Sequence, residues 1–434
     1  MLLSQAGLEA LTKLSENTEF PNQHLFKKTL KEKMFLFDSQ QEEETRFLDI
    51  CNKSYKEFKE HFPIHYTFIV NTLCNFNCPY CFEPEKGRKT KKVLSKKQIK
   101  AAFELIDKKS LEQTPKEKAG IEIFGGEPLL PISKGAVESI LWNARKRDLT
   151  ASIQTNGFYL SDYLNLITEY GSSINLIQIT LDGPPNIHNQ RRIPRSGEPT
   201  FDRLVNGIDK FLELKLPIQL NIRTNVDMDN LNFLNELMEL YKKKGWTNNP
   251  NVTFVAAPVD NRCSSLKDVS KLLTWNKLFE SVLPISKDTK GGVFDLSVFK
   301  ALTYFRNYFS AIATGNPTTN LFIPKVVYCE AAALKLFVFH PDGQIYPCPE
   351  AVGRSELSIG SYFPDFKIYP ERLLPWQDNT ILQRQQCPSC EISTFCGGGC
   401  ILTALLQNGS AIKPVCEEAP EIITNYLNKI TSLV

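Results

Sequence analysis

Three thiols crowd into eight positions of one short stretch, CNFNCPYCFEPE (74–85): Cys74, Cys78 and Cys81, spaced C-x3-C-x2-C. Close cysteines first suggest structural zinc, but zinc takes four ligands, usually as two separated pairs. The nearest histidines, His61 and His65, both precede the stretch. A cubane iron–sulfur cluster accepts thiolates on three irons and can leave the fourth open to a small molecule. The set is one ligand short for zinc and complete for such a cluster. Seven more cysteines follow much later: Cys329, Cys348, Cys387, Cys390, Cys396, Cys400 and Cys416. Only Cys51 and Cys263 of the twelve stand apart, and both are expected as small buried hydrophobes.

These groups must be carried by a scaffold. The chain has 434 residues, 42% hydrophobic, enough for a large core. A formal net charge of +3 points to no particular nucleic-acid or membrane partner, and none is expected. The opening MLLSQAGLEALTKLSEN lacks a signal-peptide pattern, no apolar run approaches a membrane span, and a cytoplasmic location is expected. In a reducing compartment, tightly spaced cysteines point to metals rather than disulfides. Short β-rich runs recur at 66–71, 121–124, 151–154, 176–181, 218–224 and 252–257, with helical periodicity between them. One such helix starts after Ser95, a good N-cap. Six strands alternating with helices predict a parallel α/β unit, doubly wound or a partial barrel, with chemistry at the carboxyl strand ends. The cysteine loop directly follows the first strand. Four regions are expected: a lead-in over 1–62, the α/β unit over 63–262, a helical bridge over 263–328, and a Cys-, Gly- and Pro-rich segment over 329–434 held together by metal.

The loop CNFNCPYCF resembles the signature of the radical S-adenosylmethionine (SAM) superfamily, in which the open iron chelates SAM. Reduction there cleaves SAM to a 5′-deoxyadenosyl radical that abstracts hydrogen from a C–H bond. Gly125, Gly126, Glu127 and Pro128 match the family's GGEP motif, whose backbone receives the SAM amino group. QTNG (154–157), with Asn156, ends the third strand. TLDGPPNIHNQRR (180–192) resembles a further family stretch, with Thr180 replacing serine and Asn189 replacing aspartate. The resemblance puts Thr180 and Asp182 near the SAM ribose and carboxylate, and makes Arg192 or Arg223 the carboxylate partner. It implies a partial (β/α)6 barrel of the TIM-like kind.

The later cysteines resemble the SPASM extension of these enzymes, with Gly343 at the expected place. By that resemblance Cys387, Cys390, Cys396 and Cys416 hold one auxiliary cluster, and Cys329, Cys348 and Cys400 hold another. Three [4Fe-4S] clusters are thus implied. The second set lacks a fourth cysteine, which leaves its position for a substrate thiolate or for Cys263. Sulfatase maturases of the family carry aspartate, their proposed base, directly after the position of Cys348; here Pro349 stands there and Glu350 follows. That departure favours maturation of a ribosomally made precursor peptide by thioether, C–C or C–O cross-linking, with sulfatase maturation as the alternative. The expected partners are a leader-bearing peptide and a flavodoxin- or ferredoxin-type electron donor. The lead-in would suit a leader-binding module of winged-helix type. An RNA-modifying enzyme is the reading from another class, and the basic run KGRKTKKVLSKKQIK (86–100) is expected as a solvated face.

Overall fold

In the computed structural model, residues 5–16, 18–32, 36–81, 92–111, 119–260, 269–313 and 323–431 are described. The six β-rich runs become β1 (His65–Ile69), β2 (Gly120–Phe124), β3 (Thr150–Thr155), β4 (Ile174–Thr180), β5 (Gln219–Val226) and β6 (Val252–Pro258). They pair in parallel and in sequence order. A short β7 (Phe294–Asp295) adds to β6. Helices Lys96–Leu111, Lys134–Lys146, Leu160–Glu169, Phe201–Glu213 and Leu234–Lys243 connect the six strands. The first is entered through a capping box: Gln98 N donates to Ser95 Oγ (3.2 Å), and Ser95 N to Gln98 Oε1 (3.0 Å).

Strands β2 to β5 have two unlike faces. Ile121 and Ile123, Ala151 and Ile153, Ile177 and Ile179, and Leu220 and Ile222 are fully buried in the hydrophobic core. Burying one such aliphatic side chain contributes roughly 1.5–3 kcal/mol. The alternate positions are polar: Glu122 on β2, Gln154 on β3, Gln178 and Thr180 on β4, Arg223 and Asn225 on β5. A parallel sheet covered by helices on both sides is usually apolar throughout. The polar set therefore belongs to a curved inner face with its own cavity, which is the partial-barrel alternative.

The cysteine-rich segment departs from expectation. It is not set apart, because residues 54–434 form one compact unit. Its β8 (Leu336–Phe339) pairs in parallel with β1, on the side away from β2. Phe339 packs on Tyr66 and Phe68, with ring centroids 6.1 and 5.2 Å away. β9 (Gln344–Tyr346), β10 (Gly360–Ser361) and β11 (Lys367–Ile368) continue the sheet antiparallel. The order among described residues is β11-β10-β9-β8-β1-β2-β3-β4-β5-β6-β7. Ile345, Tyr346, Ile359, Ile401 and Tyr426 join the common core. The segment therefore has a share of the hydrophobic core as support.

The lead-in boundary also moves. Residues 1–53 form a separate unit, and the division falls inside helix Gln40–His61 rather than after it. Helices Gln5–Ser15 and Gln23–Glu32 precede it, and no strand occurs among the unit's described residues. Cys51 is buried. Cys263 and positions 86–91 of the basic run lie outside the described residues, while Lys92, Lys96, Lys97 and Lys100 are exposed. Among the described residues no helix is long and apolar enough to cross a membrane.

Candidate active site

The β1–β2 ladder runs on past the strand ends, and this builds the site. Val70 N donates to Phe124 O (2.8 Å), Gly126 N to Asn71 O (3.0 Å) and Glu127 N to Leu73 O (2.7 Å). The Gly-Gly turn is thus zipped to the residues entering the cysteine loop. Only glycine allows that approach: a Cβ on Gly126 would stand 2.2 Å from Leu73 O, and one on Gly125 2.7 Å from Asn71 O. Buried Asn71 locks the turn, its Nδ2 donating to Glu127 O and Ser133 Oγ (2.7 Å each) while its Oδ1 accepts from Leu73 N (2.7 Å).

A cavity of about 490 Å³ opens at the strand ends. Cys74, Cys78 and Cys81 line it, with Gly125, Gly126, Glu127, Asn156, Thr180, Arg192 and Arg223. Cys74 Sγ accepts from Phe76 N (3.4 Å) and lies 3.9 Å from Asn156 Nδ2, contacts that favour a thiolate. Two expected residues take a different position. Pro128 and Asp182 are not among the lining residues. Asp182 is fully buried (0% exposed) and accepts from the Tyr80 hydroxyl and from Asn225 N (2.9 Å). Glu127 lines the cavity yet is committed to Thr155 Oγ1 (2.5 Å), Leu129 N (2.9 Å) and Asn156 N (2.7 Å). Burial raises its carboxyl pKa against those donors. Both acids join strand ends to one another.

Tyr80, between Cys78 and Cys81, was not singled out by the spacing argument. Besides Asp182 it meets Arg192, whose Nη1 donates to its hydroxyl (3.1 Å), and Arg191, whose guanidinium sits 4.9 Å from its ring centroid. Arg191 pairs with Asp227 (2.6 Å), so the TLDGP stretch, the cysteine loop and the end of β5 form one buried network. His188 stays neutral, its pKa lowered to about 3 by burial and the two arginines. Asn189, the departure from aspartate, accepts from Thr200 N (2.9 Å) and Phe201 N (3.0 Å), capping the next helix from outside.

The same cavity reaches the C-terminal segment. Cys329, Cys348 and Cys400 line it, as do Glu330 and Glu350. Burial raises the Cys329 thiol to about 11 and pushes Cys348 well up, with Glu350 and the two other thiols adding to the second shift. Cys387 has Cys396, Cys416 and Cys390 as electrostatic neighbours. Gln386 Nε2 donates to Cys416 Sγ (3.5 Å). No disulfide links the described cysteines, and among the described residues none of these sets closes tightly around a single ion. The donor sets suit iron–sulfur clusters, whose thiolates are distributed over several irons. On the inner face Glu122, which the motifs did not flag, accepts from Thr67 Oγ1 (2.8 Å) and from Gln154, and Gln178 Nε2 donates to Gln154 Oε1 (2.9 Å).

Fold and site together give a partial barrel with three cysteines, Cys74, Cys78 and Cys81, at the cavity on its strand ends. Residues 68–243 match the model of the Radical SAM superfamily. Those residues form a Radical SAM domain, and members of that superfamily use SAM and a [4Fe-4S] cluster. It is 24% identical over 384 residues to the Cysteine-type anaerobic sulfatase-maturating enzyme of Clostridium novyi, covering 83% of this chain and 94% of that one. Among solved structures it resembles anSMEcpe with bound AdoMet and Kp18Cys peptide, with a TM-score of 0.61 at 18% identity over 86% of this chain and 99% of that one. It also resembles Streptococcus suis SuiB bound to precursor peptide SuiA, with a TM-score of 0.54 at 15% identity over 90% and 88%. At those identities the likeness is one of fold.

Proposed function

We propose that this enzyme matures a ribosomally made precursor peptide, forming a thioether, C–C or C–O cross-link between its side chains. The observation that carries the reading is the shared cavity: Cys74, Cys78 and Cys81 line it together with Cys329, Cys348 and Cys400. A peptide bound there touches both thiol sets. The peptide-bound structures of anSMEcpe and SuiB support a peptide substrate. When bound, the SAM-carrying cluster supplies a 5′-deoxyadenosyl radical. The residues of this chain do the rest. Cys74, Cys78 and Cys81 hold the SAM-binding centre, and Gly125 and Gly126 present backbone to the SAM amino group. Arg192 and Arg223 offer guanidinium groups to its carboxylate, and Thr180 and Asn156 border it. Cys329, Cys348 and Cys400 hold one auxiliary [4Fe-4S] cluster; Cys387, Cys390, Cys396 and Cys416 hold the other. A flavodoxin- or ferredoxin-type donor supplies electrons, and the lead-in over 1–62 contacts the leader.

A second reading is supported by two observations. Glu350 lines the cavity beside Cys348, and the Clostridium novyi sulfatase-maturating enzyme is matched over 94% of its length. Glu350 would then be the base that deprotonates a cysteine or serine on its way to formylglycine. One experiment separates the readings. Reconstituted enzyme, SAM and reductant are incubated with each short peptide found by sequencing the flanking reading frames and with a sulfatase-derived cysteine peptide. Loss of two hydrogens with linked fragments by tandem mass spectrometry supports cross-linking. A hydrazide-reactive aldehyde on the sulfatase peptide instead transfers the conclusion to maturation of sulfatases.

A further inference from the structure

A buried positive charge without a carboxylate partner lies near both C-terminal thiol sets. Arg384 is 0% exposed. Its Nε donates to Asn379 Oδ1 (2.7 Å), and its Nη1 to Gly398 O and Gly399 O (2.7 Å to the latter). Its Nη2 is buried with no hydrogen-bond partner, and among the described residues the charges acting on it include no carboxylate. A guanidinium does not shed its proton, and leaving it unpaired in the interior is strongly unfavourable. The ionisable groups acting on it are Cys387, Cys329, Cys400 and Cys396, two thiols from each set.

The surrounding backbone is shaped to admit this side chain. Gly397, Gly398 and Gly399 all have positive φ (79°, 89° and 78°). A Cβ on Gly398 would stand 2.7 Å from Arg384 Cδ and 3.1 Å from Nε, while one on Gly397 or Gly399 would meet Val327 O or Val415 O at 2.5 Å. Three consecutive glycines between Cys396 and Cys400 thus wrap the loop around the arginine. Neutral carbonyls satisfy part of the guanidinium, but they do not balance its charge.

We infer that Arg384 is the resident counter-ion of the auxiliary iron–sulfur centres, a positioning residue whose charge and remaining N–H groups are matched by their thiolate and sulfide sulfur. The inference rests on the reading of the seven C-terminal cysteines as ligands of two such centres. A cation beside a cluster favours the more negative, reduced form and so raises the reduction potential, as do hydrogen bonds to its sulfurs.

The test is an EPR-monitored redox titration of anaerobically reconstituted wild type, Arg384→Lys and Arg384→Gln, with iron counted in each. Arg384→Gln should shift at least one auxiliary midpoint to lower potential, Arg384→Lys should stay near wild type, and the SAM-binding cluster should not move. Unchanged auxiliary midpoints in Arg384→Gln, or equal shifts in both variants, overturn the inference. Where Arg384→Gln loses auxiliary iron, the lysine variant decides: retained iron supports the counter-ion, and loss in both makes Arg384 a strut for the glycine carbonyls. A wild type without auxiliary signals fails the cluster reading itself, before Arg384 is tested.

Discussion

Glu122 is the residue whose chemistry most depends on where the fold puts it. Burial raises its pKa above the ordinary 4.5, although Thr67 and Gln154 donate to it. A raised folded value means that the folded state holds the proton longer than the unfolded chain. The stability linked to that proton is complete below the unfolded value and is lost as pH rises through the folded one. Glu122→Gln keeps the shape and removes the titration. Thermal unfolding across acidic to mildly alkaline pH should show the variant gaining on wild type as pH rises; parallel curves would refute the assignment. Tyr80 makes the opposite case, a residue valued for one hydroxyl. Tyr80→Phe leaves the buried Asp182 carboxylate without that donor and removes the acceptor of Arg192. A loss of about 1–3 kcal/mol in denaturant unfolding is expected, with weaker SAM binding through the loosened Arg192.

Elements matter here mainly at their ends. The six strands deliver their loops to one rim, and the hydrogen bonds that extend the β1–β2 ladder hold the cysteine loop against the Gly-Gly turn. Gly126→Ala forces a methyl to 2.2 Å from a backbone carbonyl, which cannot rotate away as a side chain would. Destabilisation of at least about 1–3 kcal/mol is expected from the displaced backbone. SAM affinity should fall with it, and calorimetric titration alongside thermal unfolding checks both. The strand interiors were readable as strands, but their alternation carried more than secondary structure. Glu122, Gln154, Gln178, Arg223 and Asn225 alternate with buried aliphatic residues, and their period of two marks the face that lines the cavity. The signal lies in the strands themselves, whereas the motifs lie in the loops that follow them.

At the scale of the whole molecule, one cavity spans the strand ends and the C-terminal thiols. Three clusters of four irons would give about 12 Fe per reconstituted chain. Iron near four, or zinc in its place, would remove the auxiliary clusters from the account. Cys74→Ala should abolish 5′-deoxyadenosine formation, since a cubane with two thiolates does not keep its SAM-binding iron in position. Cys416→Ala should leave part of that activity and stop peptide product, which liquid chromatography of both species resolves. With Cys329, Cys348 and Cys400 as one ligand set, a substrate thiolate has a position to fill. A thiol-containing peptide should then perturb the auxiliary spectrum even when the first three cysteines are replaced.

Sequence by itself determined the chemistry that depends on residue type and local spacing. Three thiols within eight positions, a Gly-Gly after the second strand and the seven later cysteines are covalent facts, legible without coordinates. Strand and helix order followed from periodicity, which local backbone geometry imposes. Tertiary structure decided what depends on distance between remote segments. It buried Asp182 against Tyr80, and brought Glu122 and Glu350 into one cavity. It joined the C-terminal segment to the sheet through β8, a four-residue strand too short to announce its partner. It also put Arg384 near both thiol sets, where composition shows only one basic residue among many. Pairing across hundreds of residues is set by packing and exclusion of water, and no local pattern encodes it.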